Sequence, residues 1–392
     1  MDSMRECGQC LLNEVDVPDL RLDATGRCSV CRHYEETAPK RQKSAAELEV
    51  LLQKLRREGK GKPYDALIGL SGGVDSSYVA LLSKDLGLRV LAVHFDNGWN
   101  SERAVLNMER MLSALNMDLF TYVVRWEEFR DLQRAYIRAG VIDIEALTDH
   151  AIAATLFQVA RKFKVRYILS GEHFATEGQL PSAWIHNKLD HLNILGIHKR
   201  FGEIPIPSFP LMSYYRYRWG QGGKAPVSIP ILNYVPYQKA AVKQRLRAEL
   251  GWQDYGGKHH ESVFTRFYQS YILPKKFGVD KRKSHLSTLI CAGQLSRAEA
   301  LEELGKPICP TELLEKDKRF VLKKLGFWEE EFDFYMEQPP VPHLAYPSVM
   351  HVLRRLSWPV KQAKSFFTTK DNFFTTKGTR SAQSSQREGV KD

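Results

Sequence analysis

"LIGLSGGVDSSYVALL", residues Leu67 to Leu82, decides how this 392-residue chain is read. An apolar run ends at Leu70, the segment Ser71-Gly72-Gly73-Val74-Asp75-Ser76-Ser77 follows, and a helical apolar pattern then resumes. Strand, glycine turn, helix is the order in which a parallel sheet offers a helix N-terminus to an anion. The first amides of a helix lack intrahelical partners and carry a partial positive charge. Gly72 and Gly73 let the backbone come close to an oxyanion, and Ser71, Ser76 and Ser77 add hydroxyl donors. The expected guest is a phosphate chain. No lysine follows the glycines, so this is neither the G-x-x-x-x-G-K-[ST] loop nor G-x-G-x-x-G.

Outward from the loop the pattern alternates from Asp65 to about Tyr237. "DALIGL" reads as a strand and Asp75 to Leu86 as a helix; "LRVLAVHF" is a strand and Ser101 to Leu115 a helix. "LFTYVVR" and "VRYILS" are strands, with a helix from Thr148 to Phe163 between them. Apolar strands separated by helices imply an α/β fold with a parallel sheet, helices on both faces and right-handed crossovers. Ahead of it, "SAAELEVLLQKL" is a helix opened by a Ser44/Glu47 capping box and lined by Leu48, Leu51, Leu52 and Leu55. From about Gln238 to Leu356 helices dominate, as in "SRAEALEELGKP", capped by Ser296 and Glu299 and stopped by Gly305 and Pro307.

The expected organisation is a cysteine module over 1–36, a linker helix over 37–63, a nucleotide domain over 64–237, a helical substrate or partner domain over 238–356, and a disordered tail over 357–392. That tail is polar, repeats "FFTTK" and carries seven Lys/Arg against three Asp/Glu. The whole chain has 57 Lys/Arg and 46 Asp/Glu, a net +11 that favours anionic partners. The polar N-terminus has no secretory pattern, and no stretch approaches the ~18 apolar residues of a membrane span. A cytoplasmic protein without membrane insertion is expected.

Cys7-x2-Cys10 and Cys28-x2-Cys31, seventeen residues apart, read as a zinc ribbon. Four thiolates close a tetrahedron, so the site is structural; a disulfide pair or iron is the weaker reading. Cys291 and Cys309 stand alone and read as core or surface thiols.

Ser71, Gly72, Gly73, Asp75 and Ser76 match the SGGxDS signature of the PP-loop ATP pyrophosphatases, and the chain resembles that superfamily. The resemblance implies a Rossmann-like, adenine nucleotide alpha hydrolase-like sheet. It also implies ATP cleaved between its α and β phosphates, pyrophosphate at residues 71–77, and Mg²⁺ nearby. Asp75 then helps hold the metal or caps the helix, with Ser76 beside it. His94, Phe95 and Asp96 match the superfamily's adenosine position. Gly171 and Glu172 end a third strand and are expected in the same crevice, with Glu172 or His173 on Mg²⁺ or the acceptor.

Beyond the loop, the cysteine module, "PSAWIHNKLDHLNILGIHKRFG" and the stretch from Tyr255 to Pro307 resemble the N-acetyl sugar amidotransferases of surface-polysaccharide synthesis. These are the O-antigen, pseudaminic and legionaminic acid enzymes that make acetamidino sugars. The resemblance implies a UDP-linked N-acetyl sugar as substrate. Lys188, Lys258, Arg266, Lys275, Lys276 and Arg282 are the candidates to bind it, because basic residues interleave there with Phe264, Phe267, Tyr268 and Tyr271. The same surface suits RNA. No glutaminase cysteine is recognisable, so a separate glutaminase subunit, similar to that of imidazole-glycerol-phosphate synthase, is implied, and nucleic acid is not expected. The alternatives are a tRNA-thiolating PP-loop enzyme and a non-catalytic nucleotide-binding scaffold.

Overall fold

Leu67 and Ile68 point to opposite faces of a strand that is buried on both, and the layers of the molecule follow from that. In the computed structural model, which describes residues 5–18, 20–178, 180–219, 225–256 and 260–355, β1 (Ala66–Gly69) lies at the centre of a five-stranded sheet. The others are β2 (Val90–Asp96), β3 (Leu119–Val123), β4 (Tyr167–Ser170) and β5 (Val227–Pro230). Their order is β3-β2-β1-β4-β5 and every pair is parallel.

The helices in the first half are α1 (Ser29–Arg41), α2 (Ala45–Gly59), α3 (Val74–Asp85), α4 (Glu102–Leu115), α5 (Trp126–Ala139), α6 (Ala146–Lys162) and α7 (Phe174–Glu177). α8 (His191–Phe201), α9 (Tyr214–Trp219) and α10 (Lys239–Leu250) follow. The last third is α11 (Val263–Phe267), α12 (Leu273–Phe277), α13 (Lys281–Cys291), α14 (Arg297–Gly305), α15 (Thr311–Leu325), α16 (Glu329–Glu337) and α17 (Val349–Arg355). Between α11 and α12 the backbone widens into one π turn, Tyr268–Ile272.

Ile68, Ala92 and Leu169 share one core with Leu52 and Leu55 of α2 and Val79 and Leu82 of α3. Leu67, Leu91, Val93 and Ile168 share another with Ala153, Leu156 and Ala160 of α6. Strands this enclosed need apolar residues at every position, which is why they read as continuous runs. α10, expected with the C-terminal helices, instead buries Val242, Leu246 and Leu250 in the α3 core. The capping boxes at Ser44/Glu47 and Ser296/Glu299 form as expected. No described helix is long and apolar enough to cross a membrane.

The chain leaves β1 toward β2 and β3 on one side and returns to β4 and β5 on the other. The crevice at the carboxyl ends of β1 and β4 is therefore the topological switch point, where ligands of such sheets bind. The cysteine module docks far along the sequence. Leu11 N–H donates to Ser287 Oγ at 3.1 Å, Lys283 pairs with Asp16 at 2.9 Å, and Arg297 pairs with Glu6. The expected disordered tail lies outside the described residues, and so does Lys258.

Candidate active site

The loop after β1 is held by its own small side chains. Ser71 N–H donates to Ser76 Oγ at 3.3 Å, Gly73 N–H donates to Ser71 Oγ at 3.3 Å, and Ser76 Oγ–H donates to the Gly73 carbonyl at 3.2 Å. Gly72 has φ +76°, and a Cβ there would lie 2.4 Å from the Ala104 carbonyl oxygen. Only glycine fits both demands. Gly72→Ala is accordingly expected to abolish ATP binding and to cost about 1–3 kcal/mol of stability, read by nucleotide titration and by urea unfolding.

Gly73 is the N-cap of α3 and brings no side-chain cap. Asp75 does not cap the helix, which corrects one of its two expected roles. Its carboxylate accepts the Tyr237 hydroxyl. Burial, and then the Asp75 charge, hold the Tyr237 pKa far above its ordinary value, so Tyr237 stays protonated and donates. A Cβ on Gly171, at the end of β4, would lie 3.2 Å from Asp75 Cβ, so the β1 and β4 loops meet as the switch point requires. Ser77 sits one turn in, and its hydroxyl is fully buried, with no partner among the described residues.

Residues from far along the chain cover the loop. Trp252 Nε1–H donates to the Gly72 carbonyl at 3.1 Å, and Val74 N–H donates to the Tyr255 hydroxyl at 3.1 Å. Glu261 Oε1 lies 3.1 Å from where a Cβ on Gly73 would stand. Sequence reasoning missed all three. Their one signal was a cluster of aromatic and charged residues in a stretch without helical periodicity.

At the end of β2, His94 Nδ1–H donates to the Leu70 carbonyl at 2.8 Å, and its Nε2 accepts from Asn100 Nδ2–H at 2.9 Å. That carbonyl fixes the tautomer, and the ring ties the ends of β1 and β2 together. Phe95 is core, packed on Tyr122 and Phe129. Asp96 accepts Gly98 N–H at 2.9 Å and so shapes the turn after β2. Beyond β4, Glu172 follows Gly171 at the crevice, and His173 is 5% exposed, its ring 4.7 Å from that of Tyr237. Burial lowers the His173 pKa to about 4, so the ring is neutral at pH 7.

The expected basic, aromatic surface is corrected. Phe264, Phe267 and Tyr268 are buried core, at the spacing of an inward helix face. Arg266 makes a bidentate pair with Asp317 at 2.6 and 2.8 Å. Arg282 bonds Asp280 and the carbonyls of Glu303, Leu304 and Lys306. Lys276 donates to the carbonyls of Tyr335 and Gln338, and Lys275 to the Tyr271 hydroxyl. Lys188 meets Asp143 at 2.6 Å and Asp149 at 3.1 Å. These cations are engaged with the protein because buried charge and helix-end carbonyls demand partners.

The four module cysteines are fully buried and their sulfurs all lie within 4.8 Å of one another. Cys7 and Cys31 are 3.9 Å apart, and Cys10 and Cys28 3.8 Å. Four sulfurs about 2.3 Å from a central Zn²⁺ would stand about 3.8 Å apart, so the quartet fits that ion. Amides of Cys10, Cys28 and Cys31 point at these sulfurs at 3.3–3.4 Å, which favours thiolates. Cys291 lies 3.6 Å from Cys31 and is a neighbour of the centre rather than a solitary thiol. For Mg²⁺ the described residues offer no preformed carboxylate cluster. Asp75 and Glu172 suit it only together with phosphate oxygens, which is how Mg²⁺ usually binds.

A glycine loop opening a helix at the switch point of a parallel sheet, in a span that matches the asparagine synthase family over residues 65–173, defines a PP-loop protein. Residues 261–359 match the family described as LPS biosynthesis protein WbpG-like, C-terminal domain. Two separate spans of the chain thus resemble the asparagine synthase family and the WbpG-like C-terminal domain, which together support a PP-loop fold of amidotransferase type. An uncharacterized protein of Methanocaldococcus jannaschii is 23% identical over 328 residues, 81% of this chain and 99% of that one. Among solved structures, an NMN synthetase from Francisella tularensis is 14% identical with a TM-score of 0.36, over 71% of this chain and 95% of that one. An NH3-dependent NAD synthetase from Campylobacter jejuni, in complex with the nitrate ion, is 12% identical with a TM-score of 0.30, over 79% and 98%.

Proposed function

We propose that the chain is an ATP-dependent, AMP- and pyrophosphate-forming amidotransferase. It converts the N-acetyl group of a UDP-linked sugar to an acetamidino group, in lipopolysaccharide O-antigen or related surface glycan synthesis. The observation that carries this is the glycine loop at the head of α3, at the switch point, overlaid by Glu261, the first residue of the WbpG-like span.

The acetamido oxygen attacks the α-phosphorus of ATP, and the bond from that phosphorus to the bridging oxygen breaks. Pyrophosphate leaves into the loop, where Ser71, Ser76 and the amides at the head of α3 receive its charge. Asp75 and Glu172 would hold Mg²⁺, which neutralises phosphate charge when bound. Ammonia then attacks the imidate carbon and AMP departs with the bonding pair. A separate glutaminase supplies the ammonia. In support, the six cysteines are the quartet, Cys291 beside it, and Cys309 beside the Arg266–Asp317 pair. The same placement disfavours sulfur transfer, which needs thiols at the loop.

The test is mass spectrometry of UDP-linked N-acetyl sugars incubated with the chain, ATP and ammonium. Expected are the shift that replacing O by NH produces, with AMP and pyrophosphate. ADP and phosphate as products, or sulfur incorporated into tRNA, would overturn the proposal.

A further inference from the structure

Beside the loop, a second group of charges converges on the head of α6. Glu145 immediately precedes that helix, Asp149 lies in its first turn, and Asp143 lies just upstream. Lys188 arrives from the segment before α8, and Lys281 is the first residue of α13. This is not an acidic patch, because two lysines stand among three carboxylates. Lys188 is directed at Asp143 and Asp149 rather than at Glu145. Burial raises the Asp143 pKa, but the Lys188 and Lys281 charges outweigh it and leave the group below its ordinary value. Glu145 accepts the Thr265 hydroxyl at 2.8 Å. It is half-buried and still meets solvent.

Three features place Glu145 on the crevice side of the sheet. α6 leads directly into the start of β4 and packs on β1, β2 and β4, so its N-terminus lies at the strands' carboxyl ends. Glu261 stands over Gly73 of the loop, and Thr265, four residues on in α11 past the extended N-cap Ser262, bonds Glu145. α13, which begins with Lys281, packs on α7, the helix that follows Glu172 and His173. The loop and Glu145 thus lie on the same, carboxyl-end side of the sheet, linked through the segment from Glu261 to Thr265.

We propose that Glu145 is the catalytic base of the nitrogen step, at a subsite for ammonium between the head of α6 and the phosphate loop. The proposal rests on the amidotransferase reading above. Ammonium gives one proton to the Glu145 carboxylate. The freed lone pair forms the new C–N bond, and the C–O bond to AMP breaks with its electrons on the AMP oxygen. The proton then passes from Glu145 to water. The residue suits the task because burial first, and then the Asp149 charge, push its pKa up to about 7, against the pull of Thr265, Lys281 and Lys188. Tyr268 also faces it and stays neutral, its pKa raised by burial and then by the surrounding carboxylates. A base poised near the working pH transfers protons best.

The experiment compares Glu145→Gln, Glu145→Asp and Thr265→Val with the parent, using ammonium chloride and a UDP-linked N-acetylhexosamine. ATP–pyrophosphate exchange reads adenylation, and kcat for amidine formation against pH reads the nitrogen step. Glu145→Gln is expected to lower that kcat by on the order of 10²–10⁴-fold, far more than it lowers exchange, and to remove the rise in rate near pH 7. Glu145→Asp should recover part of the loss. Thr265→Val removes a bond that favours the carboxylate, so the rise should move to higher pH. Parental nitrogen transfer in Glu145→Gln, an equal fall in exchange and transfer, or an unmoved pH profile in Thr265→Val would each overturn the assignment. Failure of the parent to exchange pyrophosphate with any such sugar would strike the adenylation reading itself, and this proposal with it.

Discussion

Asp75→Asn is expected to lower AMP formation by on the order of 10²–10³-fold, the usual effect of removing one electrostatic group from the site of developing charge. Asparagine keeps an oxygen for the Tyr237 hydroxyl and nearly the same volume, so the contact between the β1 loop and Tyr237 survives. What disappears is the negative charge that, in the mechanism proposed above, would hold Mg²⁺ against the departing pyrophosphate. Ser76→Ala is expected to be as damaging by another route. Its hydroxyl accepts Ser71 N–H and donates to the Gly73 carbonyl, so the loop loses two internal bonds and ATP affinity should fall along with rate. Pyrophosphate release and thermal melting, measured together, separate the two. Either variant working at near the parental rate would refute the phosphate-loop assignment.

Chelation of the cysteine centre is the other large effect expected. Freshly purified protein should contain one Zn²⁺ per chain, and removing it should unfold residues 5–31 while leaving ATP binding in place. The module is short and its core is largely the four sulfurs with Leu12, Val17 and Leu20. Structural zinc contributes about 10–16 kcal/mol of apparent binding energy in small domains of this kind, more than so small a core supplies. Hydrogen exchange should show fast exchange in the module after chelation and continued protection in β1 and α3. Elemental analysis finding no metal would refute the prediction.

The inner strands β1, β2 and β4 were legible because they are continuous apolar runs. β5 was not: it has four residues and ends on Pro230, and a proline-flanked edge strand carries little periodic signal. α5 was recoverable, since Phe129, Leu132, Ala135 and Tyr136 fall on one buried face. The phosphate loop could be read because its chemistry is local. Its covering residues could not, because Trp252, Tyr255 and Glu261 reach it through tertiary packing about which local spacing says nothing. The basic stretch misled for the complementary reason. Charge in a sequence counts donors, whereas the fold determines that Arg266, Lys276 and Arg282 already have acceptors.

The bonds from Trp252 and Tyr255 to the phosphate loop also bear on how this protein can be taken apart. The nucleotide site is not a portable cassette. A fragment ending near Leu250 would keep the whole sheet and the SGGVDSS turn, yet leave the Gly72 carbonyl and the Val74 amide without the partners that order them. Swapping the C-terminal half between relatives would therefore alter the nucleotide's surroundings as well as the acceptor's, and chimaeras should be joined behind Tyr255, so that α10, Trp252 and Tyr255 stay with the loop they pack on.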